Sequence, residues 1–192
     1  MSVHFWIIWG SWMLFLLFWL AMGFSAKKNI HSQPAAERRR YTIPLVAGLL
    51  LMMIRGQVFP FLAPLAAPLY ERTPPILVTA DVMAVLGVAI AIWARVTLGR
   101  NWSGVVTFKE SHELVTSGPY ALVRHPIYTA LILLFLAMDI PLATPAAAAG
   151  FLLVVWSCWV KLQQEEALML QQFPDSYPAY MARTRRLVPG LV

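Results

Sequence analysis

The chain has 192 residues, of which 59% are hydrophobic and only 12% are charged, and its formal net charge is +6. Soluble domains carry about 25% charged residues, so this composition indicates an integral membrane protein and excludes a disordered chain or a coiled coil. The single cysteine, Cys158, excludes an internal disulfide, and no spacing typical of a metal site occurs. At this length we expect one domain over residues 1–192.

The apolar segments predict an all-α, polytopic protein with five membrane-spanning helices, since about 20 apolar residues cross the hydrocarbon. Arg55-Gly56-Gln57 and several prolines interrupt the second span, which we therefore expect to be bent. Asp139-Ile140-Pro141 splits the last apolar segment into a tight hairpin of two short helices. The predicted spans are Phe5 to Phe24, Tyr41 to about Ala66, Ile76 to Leu98, and the two halves of Ile127 to about Val160.

The basic residues predict how these helices are oriented. The first and third loops, the span ends beside them and the C-terminal segment hold every lysine and arginine except Arg55 and Arg72. The positive-inside rule therefore predicts a cytoplasmic C-terminus and an external N-terminus, and we expect the inner membrane of a bacterial cell. Because topology explains the basic excess, we expect no nucleic-acid partner.

Two stretches on the predicted cytoplasmic side are unlike ordinary loops: residues 99–128 and residues 161–192. The first enters the fourth span through Arg124, His125 and Pro126. A helix N-terminus of this kind binds anionic groups through its free amides and its positive dipole end. The other interpretation is that Arg124 and His125 only anchor the chain at the level of the lipid headgroups.

In the second stretch, Lys161 and Glu165 stand four residues apart and share one helix face, whereas Glu166 is turned about 100° away. Because both continue the apolar fifth span, we expect the pair to face the protein interior or a polar cavity. The alternative is a solvated ion pair. The aromatic and basic residues from Phe173 to Pro189 predict either a tail that folds back on the cytoplasmic face or an interfacial tail.

The polar motifs follow one another in a specific order. They are His112-Glu113-Leu114-Val115, Gly118-Pro119-Tyr120, Arg124-His125-Pro126-x-Tyr128, an apolar hairpin, Glu165-Glu166, and Tyr177-x-x-Tyr180 with a terminal Arg-Leu-x-Pro. This order resembles the isoprenylcysteine carboxyl methyltransferase family, with a bacterial or archaeal-type member expected. The resemblance covers residues 99–190, so residues 1–98 supply spans one to three and residues 99–192 the cofactor-binding and catalytic part.

The resemblance implies a membrane enzyme that uses S-adenosylmethionine (SAM), bound on the cytoplasmic side between the third loop and a C-terminal helix. A tyrosine face near a sulfonium supports this, because cation–π attraction contributes about 0.5 to 2 kcal/mol. Thr107 to Lys109 match a further cofactor contact of the family only weakly, since the spacing differs. The residues that the resemblance assigns to the cofactor are His112, Glu113, Leu114, Val115, Tyr120, His125, Pro126, Ile127 and Tyr128.

The resemblance also implies an acceptor site at Lys161 and Glu165, as catalytic and substrate-binding residues. Apart from the resemblance, the charge of Arg55 inside the second span makes it a candidate substrate contact. The family has an arginine at the position of Lys161, and a lysine binds a carboxylate as a point charge rather than bidentately. We expect Glu165 to reach back to Lys161 and orient it. The expected reaction is methyl transfer to the carboxylate of an isoprenylcysteine-like or other amphiphilic acceptor, a lipophilic small molecule or a prenylated one.

Other functions remain open from the sequence. A phospholipid N-methyltransferase would present an amine to Glu165, and a related reductase would use a nicotinamide cofactor. A non-catalytic membrane scaffold or a small transporter is a third class, although a transporter would show an inverted repeat or charges in several spans. Arg55 and Asp81 either form a structural ion pair between spans two and three, or Arg55 lines the path of the acceptor.

Overall fold

The computed structural model describes residues 2–23, 33–54, 60–107 and 113–191. Within these ranges the chain is all-α, as predicted, and residues outside helices form only one isolated β-bridge, between Val123 and Arg185. Short 3₁₀ helices occupy Pro60–Ala66, Gly99–Asn101 and Gly118–Ala121. The α-helices are α1 (Val3–Gly23), α2 (Ala35–Met52), α3 (Pro74–Leu98), α4 (Pro126–Leu142), α5 (Pro145–Gln172) and α6 (Tyr177–Arg183).

Three helical segments in the described part of the chain are long and apolar enough to cross a membrane: Val3–Gly23, Pro74–Asn101 and Pro145–Gln172. Helix α4 is apolar but has 17 residues, and α2 carries Glu37 and three arginines near its start. These helices agree with an integral membrane protein. The number of five spans stays a prediction.

Helix α2 differs from the second predicted span. It begins at Ala35 rather than Tyr41, directly after Pro34, whose ψ of 144° is extended. Alanine, glutamate and arginine are strong helix formers, so the polar residues before Tyr41 extend the helix instead of ending it. The helix stops at Met52, and the later part of the predicted span forms the 3₁₀ helix Pro60–Ala66.

Helices α4 and α5 form the predicted tight hairpin, joined by Ala143 and Thr144 only. Ala143 has a left-handed backbone with φ of 51°, and its amide donates to the Asp139 carbonyl at 3.1 Å. The Thr144 side chain accepts a hydrogen bond from the Ala147 amide at 3.2 Å and so caps α5. The helix break therefore lies after Leu142, while Pro141 remains inside α4.

Small residues allow the helices to approach closely, as in many membrane proteins. A Cβ atom added to Gly48 of α2 would lie 2.6 Å from the Gly150 carbonyl of α5, and one added to Gly150 would lie 2.5 Å from the Gly48 carbonyl. A Cβ on Gly87 of α3 would lie 2.9 Å from Leu134 Cγ of α4. The pairs α2–α5 and α3–α4 are thus fixed by direct backbone contact, and α1 packs on α3.

Arg95 links α1 to the end of α3 and is completely buried. Its guanidinium donates to the Gly99 carbonyl at 2.5 Å and to the Met22 carbonyl at 2.7 Å. The same group lies 4.6 Å from the ring centroid of Trp102. In the sequence Arg95 is only one of the basic residues on the predicted cytoplasmic side, but these contacts fix the start of the loop after α3.

At the other end of α3, the carboxylate of Asp81 contacts His4 of α1, with 2.6 Å between His4 Nδ1 and Asp81 Oδ2. The second carboxylate oxygen of Asp81 is buried without a hydrogen bond within the described ranges. Arg55 lies outside the described residues, so its pairing with Asp81 and its role in acceptor binding stay predictions.

Candidate active site

A cavity of about 230 Å³ lies where the second half of α5 meets the start of α4 and the loop after α3. Both polar and apolar side chains line the cavity, so it suits a ligand with both kinds of surface. Within the described ranges, no group of three or more His, Cys, Asp or Glu residues is arranged to hold a metal ion. The polar lining residues include Glu113, Arg124, His125, Lys161 and Glu165, and the apolar ones include Phe15, Trp19, Leu98, Trp102 and Leu131.

The structure brings most of the predicted site residues to this cavity, although they come from three separate segments. Pro126 does not line it and is instead buried at the first position of α4. Thr107 lines the cavity, whereas His112, Phe108 and Lys109 lie outside the described residues. The predicted residues that line it are Glu113, Leu114, Val115, Tyr120, His125, Ile127, Tyr128, Lys161 and Glu165.

The predicted contact between Lys161 and Glu165 is wrong. Lys161 Nζ donates to the Gly104 carbonyl at 2.8 Å, and Glu165 accepts from the Tyr128 hydroxyl at 2.6 Å. No ion pair within 4.0 Å joins the two side chains, both of which the structure describes. Spacing of four residues places both on one face of α5, but each side chain contacts a partner on another segment instead.

Helix rotation predicts that Glu166 faces away from Glu165. It is the centre of a buried ion cluster and is only 3% exposed. Arg124 Nε lies 2.8 Å from one of its carboxylate oxygens, and Arg186 Nε lies 2.9 Å from the other. His125 Nε2 lies 3.3 Å from the first oxygen. The signal that could have revealed this cluster is the presence of an arginine-rich tail behind an acidic pair on a helix.

The C-terminal tail folds back onto the entry of α4, one of the two outcomes considered from the sequence. The amides of Arg124 and His125 donate to the carbonyls of Arg185 and Arg186 at 2.7 and 2.9 Å, and the Thr129 hydroxyl donates to the Leu187 carbonyl at 2.7 Å. These two amides are therefore not free to bind an anionic ligand, contrary to the expectation from the sequence. The Arg124 side chain is 8% exposed, which also excludes the headgroup anchor.

Three buried tyrosines line the cavity: Tyr120, Tyr177 and Tyr180. Tyr180 is buried, and its hydroxyl donates to the Tyr120 carbonyl at 2.6 Å. Burial raises the pKa of Tyr180 to about 12, and it raises the pKa of Tyr120 and of Tyr177 as well. All three hydroxyls therefore stay protonated at neutral pH and act as hydrogen-bond donors rather than as bases.

Comparison with known proteins shows where the chain is similar to others. Residues 79–171 match the model of the isoprenylcysteine carboxyl methyltransferase (ICMT) family. A probable protein-S-isoprenylcysteine O-methyltransferase of Oryza sativa subsp. indica is 25% identical over 173 residues, which cover 88% of this chain and 86% of that protein.

Two further relatives are similar to a shorter part of the chain at higher identity. Protein-S-isoprenylcysteine O-methyltransferase B of Arabidopsis thaliana is 31% identical over 110 residues, covering 56% of each chain. The Homo sapiens protein-S-isoprenylcysteine O-methyltransferase is 31% identical over 115 residues, which cover 58% of this chain and 40% of that protein. The cavity-lining segments of α4 and α5 fall within the family match, residues 79–171.

Proposed function

Since residues 79–171 place this chain in the isoprenylcysteine carboxyl methyltransferase family, it is a membrane methyltransferase, and we propose that it methylates the carboxylate of an amphiphilic acceptor with SAM as donor. The observation that carries this proposal is the cavity between α4 and α5, where Lys161, Glu165 and Tyr128 meet residues 113–115. A pocket that is lined by both polar and apolar residues and lies beside membrane helices suits a water-soluble donor and a lipid-like acceptor.

The residues that line the cavity fit SAM. When bound, SAM supplies an electrophilic methyl group on a sulfonium. The exposed carboxylate of Glu113 can accept hydrogen bonds from an ammonium or from ribose hydroxyls. The rings of Tyr120 and Tyr128 offer faces that attract a cation, and Leu114 and Val115 offer apolar contact for a planar base. We assign these residues, with His125 and Ile127, to the cofactor, together with His112 and Pro126 from the motif.

The acceptor carboxylate would bind at Lys161. The Lys161 ammonium has no acidic partner within 4.0 Å in the described part of the chain, so its charge is available to an anionic head group. A carboxylate is already a competent nucleophile, so the enzyme needs no general base. Orientation of the two reactants and exclusion of water then supply most of the rate acceleration. The acceptor is a lipophilic small molecule or a prenylated one.

We also propose five spans with the N-terminus outside and this cavity on the cytoplasmic side, as in a bacterial inner-membrane protein. The basic residues support this orientation, because all of them except Arg55 and Arg72 lie in the first and third loops, the span ends beside them or the C-terminal segment. A C-terminal fluorescent-protein fusion should therefore fluoresce in a bacterial inner membrane. A dark fusion, with an active periplasmic reporter at the same position, would reverse the orientation.

The reaction is tested on the detergent-solubilised protein. We expect heat of binding with SAM and with S-adenosylhomocysteine, none with NADPH, and transfer of radiolabel from methyl-labelled SAM to a farnesylcysteine analogue. His125→Ala and Tyr120→Ala should weaken SAM binding. If SAM at about 1 mM gives no heat, the donor is wrong; if label moves only to water-soluble thiols, the acceptor is wrong.

A second candidate is methylation of a phospholipid amine. It is favoured by one observation: Glu165 is not neutralised by Lys161, so its carboxylate is able to receive an ammonium head group. With an amine acceptor, Glu165→Gln should be the most damaging change and Lys161→Ala should be tolerated. With a carboxylate acceptor the order reverses, so one pair of variants distinguishes the two reactions.

A further inference from the structure

Lys161 lies between two tyrosine rings, and one of them comes from a part of the chain outside the family match. Its Nζ atom is 5.4 Å from the ring centroid of Tyr41 and 5.9 Å from that of Tyr128. Both distances are within the range of roughly 6 Å in which a cation is attracted to an aromatic face. Tyr41 belongs to α2, whereas the family match covers residues 79–171.

The Tyr41 ring is a fixed platform. The residue is 7% exposed, its main-chain carbonyl accepts from the Ser157 hydroxyl at 2.7 Å, and its hydroxyl donates to Gln33 at 3.3 Å. Gln33 in turn donates to Gln164 of α5 at 2.7 Å. The ring is therefore held against α5 from both ends and cannot follow a lysine side chain that moves.

The contacts of Lys161 hold the ammonium in place without neutralising it. Its hydrogen-bond partner is the neutral carbonyl of Gly104, and the two rings offer their π faces. Tyrosine faces attract a cation and also leave its charge uncompensated, which a carboxylate would not. An ammonium kept in this way stays ready to bind an anionic group.

We propose that Tyr41 is a positioning residue of the acceptor site: its ring, opposite Tyr128, sets the place of the Lys161 ammonium at the cavity wall, where the anionic head group of the acceptor binds. Helix α2 is then part of the acceptor site. This inference rests on the proposed function, because it assumes that Lys161 binds the acceptor. It adds a determinant of acceptor affinity that acts through Lys161.

Kinetics with a farnesylcysteine analogue test the proposal. Tyr41→Leu removes the π face, and we expect the acceptor KM to rise about 2- to 30-fold, the equivalent of the usual cation–π range, with kcat and SAM affinity unchanged. Tyr41→Phe keeps the face and should restore the wild-type KM. Leu45→Ala removes apolar packing of α2 against the cluster that contains Val154 and Leu162 of α5, and it leaves the hydrogen bonds of Tyr41 in place, so it is the matched structural control.

A double mutant separates positioning from packing. In a Lys161→Met background, Tyr41→Leu should change the acceptor KM no further, because the cation that the ring positions is gone. The proposal is overturned if Tyr41→Leu raises the KM equally in both backgrounds, if Leu45→Ala raises it as much as Tyr41→Leu does, or if Tyr41→Phe behaves like Tyr41→Leu.

A measurement without turnover distinguishes failure of this inference from failure of the proposed function. The chain has four lysines, so ¹³C-dimethylation gives few NMR signals, and Lys161→Arg identifies the signal of Lys161. Ring currents should shift that signal upfield in the wild type and in Tyr41→Phe but less in Tyr41→Leu. An unshifted wild-type signal overturns the inference; a shifted signal in a protein that transfers no methyl group refutes the proposed function alone.

Discussion

Two adjacent glutamates at the end of α5 have opposite surroundings. The Glu165 side chain is 26% exposed, lines the cavity and accepts one hydrogen bond, from Tyr128. The Glu166 side chain is 5% exposed, and both of its oxygens contact guanidinium groups. One peptide unit and about 100° of helix rotation separate them. The first faces the space where a ligand fits, and the second faces the C-terminal tail.

The difference shows how charged groups at the end of a membrane helix divide between structure and function. A buried carboxylate is tolerated only when its charge and its lone pairs are matched by other groups, and Glu166 satisfies this condition. Glu165 keeps unused hydrogen-bonding capacity at the cavity wall. Lys161, at the same wall, contacts a neutral carbonyl that does not compensate its charge. Charged groups whose charge and hydrogen bonds are matched within the protein therefore stabilise the fold, and charged groups with unused capacity are available to bind substrates.

The largest expected effect is that of Glu166→Gln. This change leaves two guanidinium groups without their counter-charge, and breaking a buried ion pair costs about 3 to 5 kcal/mol. We expect a marked fall in thermal stability in detergent and faster proteolysis of residues 184–191, because the tail loses its anchor. Glu165→Gln is the matched control and should leave both readouts close to wild type. Equal stability of the two variants would contradict the distinction drawn between these residues.

The next effect concerns turnover rather than stability. Lys161→Ala removes the positive charge proposed to bind the acceptor carboxylate, and hydrogen bonds to charged groups contribute about 1.5 to 3 kcal/mol, so kcat/KM should fall at least tenfold. Glu165→Ala should cost less, Lys161→Arg should be tolerated or improve turnover, and SAM affinity should hardly change. Wild-type activity in both alanine variants, measured with radiolabelled SAM, would remove the pair from the active site.

A smaller effect divides two neighbouring arginines of the tail. The Arg186 guanidinium contacts Glu166 and lies 5.1 Å from the ring centroid of Trp159, whereas the Arg185 side chain is exposed. Because Arg186 is half-buried and Glu166 keeps Arg124, Arg186→Ala should cost about 1 to 2 kcal/mol of unfolding free energy. Arg185→Ala should cost almost nothing, because the carbonyl that accepts from the Arg124 amide belongs to the backbone and is kept. Denaturation of the two variants in parallel checks this, and an equal cost would mean that the backbone alone holds the tail.

Hydropathy and motif order predicted a large part of this arrangement. The apolar run from Phe5, the apolar run from Ile76 and the break near Pro141 indicated α1, α3 and the hairpin of α4 and α5, because helix length and helix ends are local properties of the chain. The segment from Glu113 to Val115 and the residues Tyr120, His125 and Tyr128 were chosen from a resemblance, and they line one cavity.

The groups that the charged side chains contact could not be predicted in the same way. The spacing of Lys161 and Glu165 permits a contact, but Gly104 and Tyr128, distant in sequence, compete for both side chains. The burial of Glu166 depends on where Arg124 and Arg186 arrive after folding. Arg95 gave no signal either, because its partners are the carbonyls of Met22 and Gly99, and a carbonyl is present at every residue.

The smallest expected effect is that of Tyr128→Phe, and it tests why Glu165 and Lys161 stay apart. The change removes the hydroxyl that donates to Glu165 but keeps the ring that faces Lys161. Glu165 is partly exposed and can exchange the lost bond for water, so the unfolding free energy should fall by only about 1 kcal/mol, far less than for Glu166→Gln.

Once released from Tyr128, Glu165 can turn toward Lys161 and form the contact between residues four apart on one helix face, worth about 0.3 to 0.5 kcal/mol. That contact would partly neutralise the ammonium, so the KM for a carboxylate acceptor should rise about twofold while the KM for SAM changes less. Adding Glu165→Gln to Tyr128→Phe should reverse the rise, because an amide cannot neutralise the lysine. If the double variant keeps the raised KM, the hydroxyl of Tyr128 acts on the acceptor directly, and the separation of Lys161 from Glu165 has no part in acceptor affinity.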